Sequence, residues 1–141
     1  MNIPKFLVKG GKNMKLNLES LKSKADWDRV EIELPGFLVE EMVSKTKSKP
    51  TWVHFGAGNI FRSFIAALQQ DLLNRKLVET GIVAVESYDE EIIDKTYKSY
   101  DNLSLLVLMS PDGNLRKKVI GSVAESLVGD SKRPRDWERV Q

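Results

Sequence analysis

The chain has 141 residues, 41% of them hydrophobic and 30% charged, with a formal net charge of +2 and no cysteine. That length supports one domain with a hydrophobic core, and the composition is that of an ordinary globular protein. Disulfide staples, thiolate nucleophiles and cysteine–zinc sites are excluded, and the near-neutral charge gives no pull toward nucleic acid or an anionic membrane.

No apolar run reaches the ~20 residues that span a bilayer, and the start lacks the pattern of a secretory signal. The expected setting is therefore cytoplasmic, with neither membrane nor nucleic acid as partner. Residues 1–13 are read in one of two ways. Either Met14 is the natural start, behind a translated leader containing Lys9-Gly10-Gly11-Lys12-Asn13, or the segment is a basic, disordered tail.

Residues 14–50 read as an N-terminal extension. Leu16, Leu18 and Leu21 form a short apolar set, and Asp26 to Leu34 is polar and charged. Pro35-Gly36 punctuates the chain, and the spacing predicts a helix over Phe37 to Lys45 with Phe37, Leu38 and Met42 facing inward. Ser44 to Pro50 reads as a lysine-rich linker. None of these residues carries recognisable chemistry.

From Trp52 the pattern sharpens. Trp52-Val53-His54-Phe55 reads as a buried strand, which Gly56-Ala57-Gly58 breaks. Ile60, Phe61, Phe64, Ile65, Leu68, Leu72 and Leu73 then recur at helical spacing, predicting an inward face and a helix to about Lys76. Ile82 to Val85 is a second buried strand ending on Glu86. Asp89 is placed to cap a helix through about Tyr97, with Glu90 and Glu91 in its first turn. Leu103 to Met109 is read as a third strand, Pro111-Asp112-Gly113-Asn114 as a turn, and Leu115 to Val123 as a returning strand. A final helix is expected around Asp136-Trp137.

Strand, glycine turn, helix, strand is a βαβ unit, so the predicted class is α/β, with a mainly parallel sheet and a β-hairpin extension. Two glycines directly after a strand and opening a helix suit a phosphate. Gly56 allows the sharp turn, Gly58 lets a phosphate approach the backbone, and the amides from Asn59 onward sit at the positive end of the helix dipole. Glu86, ending the next strand, is placed to accept from the ribose hydroxyls of adenosine, which favours NAD over NADP. The third glycine of the full dinucleotide pattern is replaced by Phe61, whose bulk is expected to push the helix away from the sheet.

The candidate cofactor-binding residues are therefore Gly56, Ala57, Gly58, Asn59, Ile60, Arg62 and Glu86. Arg62 is placed to reach a phosphate or a substrate carboxylate. His54, the sole histidine, is expected to be packed within the first strand. Tyr88, Tyr97 and Tyr100 follow the second strand, where an adenine could lie against them, but packing at the sheet edge is the expectation. No serine–histidine–acid grouping and no helical ligand pair are present, so neither a catalytic residue nor a metal ligand is assigned.

His54-Phe55-Gly56-Ala57-Gly58-Asn59-Ile60-Phe61-Arg62-Ser63-Phe64 resembles the corresponding stretch of the mannitol dehydrogenase family, the polyol-specific long-chain dehydrogenases and reductases. In that family an arginine four residues after the second glycine is part of the pattern, and a non-glycine third position is common. Val119-Ile120-Gly121-Ser122-Val123, with Glu125 and Leu127, is similar to a second family segment. The resemblance implies an incomplete Rossmann-like domain at residues 51–141, the N-terminal half of a dinucleotide-binding unit that the chain does not complete. It also implies NAD as cofactor and a small sugar acid or polyol as substrate, with a hexuronate branch of the fructuronate type favoured over the mannitol and tagaturonate branches. The family's catalytic lysine, asparagine and histidine match no position here. The isolated chain is accordingly expected to be inactive and, with a bare sheet edge, open to self-association. A non-catalytic nucleotide-binding or docking module is the alternative.

Overall fold

The computed structural model describes residues 6, 7 and 13–141; the expectation of a leader or tail over 1–13 falls largely outside the described residues. Phe6–Leu7 (β1) pairs antiparallel with Asn13–Met14 (β2). Two short helices follow, Leu18–Leu21 (α1) and Lys24–Asp28 (α2). Asn17 caps α1 by accepting from the Ser20 amide at 2.9 Å, while the Ser20 hydroxyl donates back to the Asn17 carbonyl at 2.8 Å. Trp27 on α2 is fully buried, and its indole N–H donates to the Ser20 carbonyl at 2.8 Å. The stretch read as merely polar thus contains the largest anchor of the N-terminal core.

Ile32–Glu33 (β3) joins a three-stranded sheet of order β3-β7-β6, in which Ser104–Met109 (β6) and Leu115–Ile120 (β7) form the antiparallel hairpin. The second sheet has order β4-β5-β8, formed by Val53–Phe55 (β4), Ile82–Glu86 (β5) and Val123–Val128 (β8), all parallel. The α/β class is the observed one, with one wholly parallel sheet and the hairpin in a second sheet beside β3. One strand assignment needs correction. The segment Leu115 to Val123 is not one strand, because the chain breaks at Gly121-Ser122 and enters a new strand in the other sheet. The third strand of the parallel sheet is β8, while Ser104–Met109, read as the strand before the turn, supplies the outer arm of the hairpin as expected.

The helix before β4 spans Val39–Ser48 (α3), so the supposed linker from Ser44 is helical for most of its length. Thr46 explains why: its fully buried hydroxyl donates to the Met42 carbonyl at 2.7 Å and accepts the Gly81 amide at 2.8 Å, tying α3 to the start of β5. Met42 is buried as expected, whereas Leu38 is 74% exposed.

After the glycine turn, a π-helical turn at Phe61–Ile65 runs straight into Ala66–Asn74 (α4). The buried side of this helix is Phe61, Ala66, Ala67, Gln69, Gln70 and Leu73, while Ile60, Phe64 and Leu68 are exposed, contrary to the inward face read from periodicity. Small alanines let the helix lie close to the sheet, and the glutamines carry hydrogen bonds there. Gln70 Nε2 donates to the Val119 carbonyl at 2.8 Å and Gln70 Oε1 accepts the Gly121 amide at 2.7 Å. Ser122 Oγ donates to the Ala66 carbonyl at 2.6 Å, so the β7–β8 corner is fastened to α4 at several points.

Beyond β5 the chain forms Glu90–Ile92 (α5), a second π-helical turn at Ile93–Tyr97 and a 3-10 turn at Lys98–Tyr100. Asp89 stands at the N-cap of α5 but makes no side-chain capping bond. Pro134–Val140 (α6) closes the described chain; Asp136 from its first turn accepts the Val128 amide at 2.9 Å, and Arg139 pairs with Glu125 at 2.8 Å. β5 is the central parallel strand and is the most deeply buried, every residue from Ile82 to Val85 being at most 3% exposed. β4 lies at the sheet's edge, and Val53 (46%) and Phe55 (68%) are exposed, which corrects the expectation of a buried first strand.

Candidate functional site

The glycine turn lies at the C-terminal end of β4, beside the C-terminal end of its parallel neighbour β5. Gly56 donates its amide to the Val85 carbonyl at 2.8 Å, extending the strand pairing by one bond before the chain turns away. The turn is made at Gly56, whose φ of +104° is a conformation that a side chain strains. Gly58 has no such need, and a Cβ built there meets nothing within 4 Å. The Arg62 amide donates to the Gly58 carbonyl at 3.2 Å, so the amides just before Arg62 belong to a first turn that has no partner further back in the helix. Those amides lie on the end of the helix that favours an anion.

Glu86 ends β5 and reaches across to this turn. Its Oε2 accepts the Ala57 amide at 3.0 Å, and its Oε1 accepts the amides of Ser87 at 3.0 Å, Tyr88 at 2.9 Å and Asp89 at 3.4 Å. Burial acts to raise its carboxyl, but the N–H donors of Tyr88, Ala57, Asp89 and Ser87 together outweigh it and hold the group below the usual carboxylate range. The sequence placed Glu86 here to meet a ribose. In the structure its carboxylate also organises the loop that follows β5 and the glycine turn opposite.

Ala57 is fully buried. Its carbonyl accepts from the hydroxyl of Tyr97 at 2.7 Å. Tyr97 is 2% exposed, so it lies in the core beneath the turn rather than at the sheet edge; burial pushes its phenol well above the ordinary value and keeps it a donor. The guanidinium of Arg62 stands over the Tyr97 ring, 5.8 Å from its centroid, and its Nη2 donates to the Asn59 side chain. Asn59 and Ile60 are exposed at the mouth of the turn. Gly56, Ala57, Gly58, Asn59, Arg62 and Glu86 are thus brought together, with Ile60 beside them, 76% exposed.

Phe61 does not push the helix off the sheet. It is 3% exposed and shares a core cluster with Ala57, Ala66, Ala84 and Tyr97, so small residues around it supply the room that a glycine would otherwise give. The π-helical turn that begins at Phe61 widens the helix at this point. His54 stacks on the Phe61 ring at 4.6 Å between centroids, with Trp52 edge-on to it at 6.4 Å, which is the packed role expected of it. What sequence reasoning missed is the role of Tyr97 beneath the turn, because its partner is a main-chain carbonyl 40 residues earlier. The available signal was general: a buried tyrosine requires a hydrogen-bond partner.

Among the described residues no group of three or more metal-ligating side chains occurs, and no helix is long and apolar enough to cross a membrane. An open groove of about 1240 Å³ lies against the N-terminal extension between Leu21, Phe37, Met42 and Lys76, and no residue of the glycine turn lines it.

A parallel sheet in which the first strand ends in a glycine turn, and the second in a carboxylate that reaches it, is the arrangement of a Rossmann-like domain. Comparison with known proteins agrees. The chain is 48% identical over 128 residues to D-mannonate oxidoreductase of Thermotoga maritima, a match covering 91% of this chain and 24% of that protein. It is similar in structure to a D-sorbitol dehydrogenase in substrate-free form (TM-score 0.62, 26% identity, covering 78% of this chain and 21% of that one). It also superimposes on a Pseudomonas fluorescens mannitol 2-dehydrogenase solved as a ternary complex with NAD and D-mannitol (TM-score 0.65, 23% identity, 84% of this chain and 22% of that one). No protein-family model matches the chain. The chain is thus similar to a D-mannonate oxidoreductase and to sorbitol and mannitol dehydrogenases, and it spans about a quarter of the length of the relatives it matches.

Proposed function

We propose that the chain supplies the adenosine-binding half of an NAD site in an oxidoreductase that moves a hydride between nicotinamide and a hexuronate or polyol. The observation that carries this reading is the meeting of the glycine turn and Glu86 at the ends of neighbouring parallel strands. In it, Gly56, Ala57, Gly58, Asn59, Ile60 and Arg62 form the seat of the pyrophosphate and Glu86 faces the adenosine ribose. Gly58 supports the assignment, because neither its φ nor any neighbour within 4 Å requires a glycine there. A phosphate seated on the turn does require one, since a Cβ would stand between it and the backbone.

The carboxylate of Glu86 favours NAD, because the 2′-phosphate of NADP would meet a negative charge. Oε1 already accepts three amides and Oε2 one, which leaves Oε2 with room for a single ribose hydroxyl. The name of the 48% identical relative, D-mannonate oxidoreductase, favours a sugar acid over an uncharged polyol as substrate. The NAD named in the mannitol 2-dehydrogenase complex supports the cofactor.

Residues 14–50 act in this reading as an extension packed on the half-domain of 51–141, and the protein works in the cytoplasm. No group for the proton transfer that accompanies hydride transfer is assigned within the chain, so by itself it is expected to turn over no sugar. The exposed apolar side chains of Val53 and Phe55 on β4, of Ile60 and Phe64 at the start of the following helix, and of Leu68 on α4 favour self-association of the isolated chain. Titration with ADP-ribose, followed at the backbone amides by NMR, tests the nucleotide reading. Shifts confined to Gly56 through Arg62 and Glu86 through Asp89 are expected; saturation with no change at these amides would contradict it.

A further inference from the structure

Ala57 is held by both of its main-chain groups. Its amide donates to Glu86 Oε2 at 3.0 Å, and its carbonyl accepts from Tyr97 Oη at 2.7 Å. The two anchors come from opposite ends of one segment: Glu86 closes β5, and Tyr97 closes the π-helical turn that follows α5. We propose that this two-sided clamp sets the shape of the glycine turn that receives the pyrophosphate, and that Tyr97 is a positioning residue for dinucleotide binding. The inference rests on the nucleotide reading above and adds a residue to it that no sequence pattern names.

The physical case has three parts. First, the turn needs holding. Gly56 lies at φ +104°, and nothing stands within 4 Å of where a Cβ would be at Gly56 or Gly58, so packing does not fix those two residues. Glycine also has the most backbone freedom to lose on ordering. Ala57 between them is the buried residue of the three, and hydrogen bonds at its amide and carbonyl fix the orientation of both flanking peptide planes. The plane of the Ala57–Gly58 peptide is the one Tyr97 holds, and it carries the Gly58 amide that opens the helix.

Second, the anchor itself is rigid. Tyr97 is 2% exposed in the cluster that contains Ala57, Phe61, Ala84 and Ile93, so its hydroxyl cannot swing to water without opening the core. Third, the same ring supports Arg62, whose guanidinium stands 5.8 Å from the ring centroid. One side chain therefore fixes the backbone donors from below and carries the cation beside them. A site whose donors are already oriented binds more tightly because less ordering remains to be done on binding.

The test uses the 141-residue chain with Tyr97→Phe, which removes the hydroxyl and keeps the ring under Arg62. Tyr100→Phe is the control, since Tyr100 packs against the other core cluster, away from the glycine turn. Hydrogen exchange at individual amides and ADP-ribose affinity are read on both. Tyr97→Phe is expected to speed exchange at Ala57 and Gly58 more than at Val83 and Val85 of the strand core, and to weaken ADP-ribose about three- to tenfold, the loss of one neutral hydrogen bond. Tyr100→Phe should change neither.

Exchange that rises equally at the turn and in the strand core would mean a general loss of stability and would overturn the positioning role. So would local loosening with affinity unchanged. Wild-type chain that shows no ADP-ribose shifts at all would remove the nucleotide reading and this inference together; wild-type binding with an unaltered variant removes the inference alone. Glu86→Gln, which leaves one oxygen for the bonds that two now accept, provides a second route should Tyr97→Phe fail to fold. It is expected to loosen the same amides from the other side.

Discussion

Gln70 joins the helix that carries the glycine turn to the corner where β7 becomes β8. It is 1% exposed, and its side-chain amide makes two bonds across the core, to the Val119 carbonyl at 2.8 Å and from the Gly121 amide at 2.7 Å. Gln70→Met keeps the length of the side chain and its helix propensity while deleting both bonds. A backbone amide has one proton to donate, so Gly121 would be left without its acceptor in the interior, at about 1–3 kcal/mol. The lost bond to Val119 adds about 1 kcal/mol, giving a total of about 2–4 kcal/mol. A chain of this length typically has a urea slope of about 1–3 kcal/mol per molar, so the midpoint should fall by roughly 1–2 M. Gln69→Met is the paired control: Gln69 makes one bond, to the Thr80 carbonyl at 2.7 Å, so its loss should be about 1 kcal/mol. Equilibrium urea unfolding followed by tryptophan fluorescence measures both. Gln70→Met within about 0.5 kcal/mol of wild type, or no worse than Gln69→Met, would refute the account of how α4 is fastened.

Gly81→Ala should cost about 1–3 kcal/mol or more in thermal unfolding, because the new Cβ would lie 2.3 Å from the Ser122 carbonyl oxygen and 2.4 Å from Met42 Sδ; an unshifted melting curve would contradict this packing. The Glu86 carboxyl is lowered in the folded state, so its contribution is fully present above its unfolded value of about 4.3 and is lost as pH falls through the folded value. The stability gap between wild type and Glu86→Gln should therefore be largest near neutrality and shrink at acid pH, whereas a gap that stays constant across that range would be inconsistent with it. Phe64→Ser, at a side chain 61% exposed, should leave stability within about 0.5 kcal/mol while reducing any self-association seen by size-exclusion chromatography. Unchanged association would show that the exposed apolar side chains do not drive it.

The glycine turn, both its flanking strands and Glu86 were legible because their signals are local: β-branched and aromatic runs, a pair of glycines, and an acid at a strand's end. The side of α4 that would be buried was not. Periodicity marks Ile60, Phe64 and Leu68 as an apolar stripe, but it cannot say whether a covering element exists, and in this chain they stay exposed. It equally hides that Gln69 and Gln70 point inward, since their burial depends on acceptors and donors far along the chain. The hairpin misled for a related reason. Gly121-Ser122 interrupts an apolar run too briefly to announce a change of sheet, and the move from β7 to β8 is fixed by Gln70 and Ser122 bonding to elements fifty residues away. Phe61, a defect by the glycine pattern alone, becomes intelligible once Ala57, Ala66 and Ala84 are seen around it. The Tyr97 anchor was out of reach for sequence reasoning because hydrogen-bonding need does not name a partner.

The claim that the turn exists to seat a dinucleotide is tested most directly at Gly58, where an added Cβ meets nothing within 4 Å of the protein itself. Gly58→Ala and wild type are to be compared in calorimetric titration with ADP-ribose and, in parallel, in urea unfolding. At the start of a helix the substitution should cost at most about 1 kcal/mol of stability. If a pyrophosphate packs on this backbone, the variant should remain folded and lose ADP-ribose binding; a folded Gly58→Ala chain that binds ADP-ribose as wild type does would contradict the account.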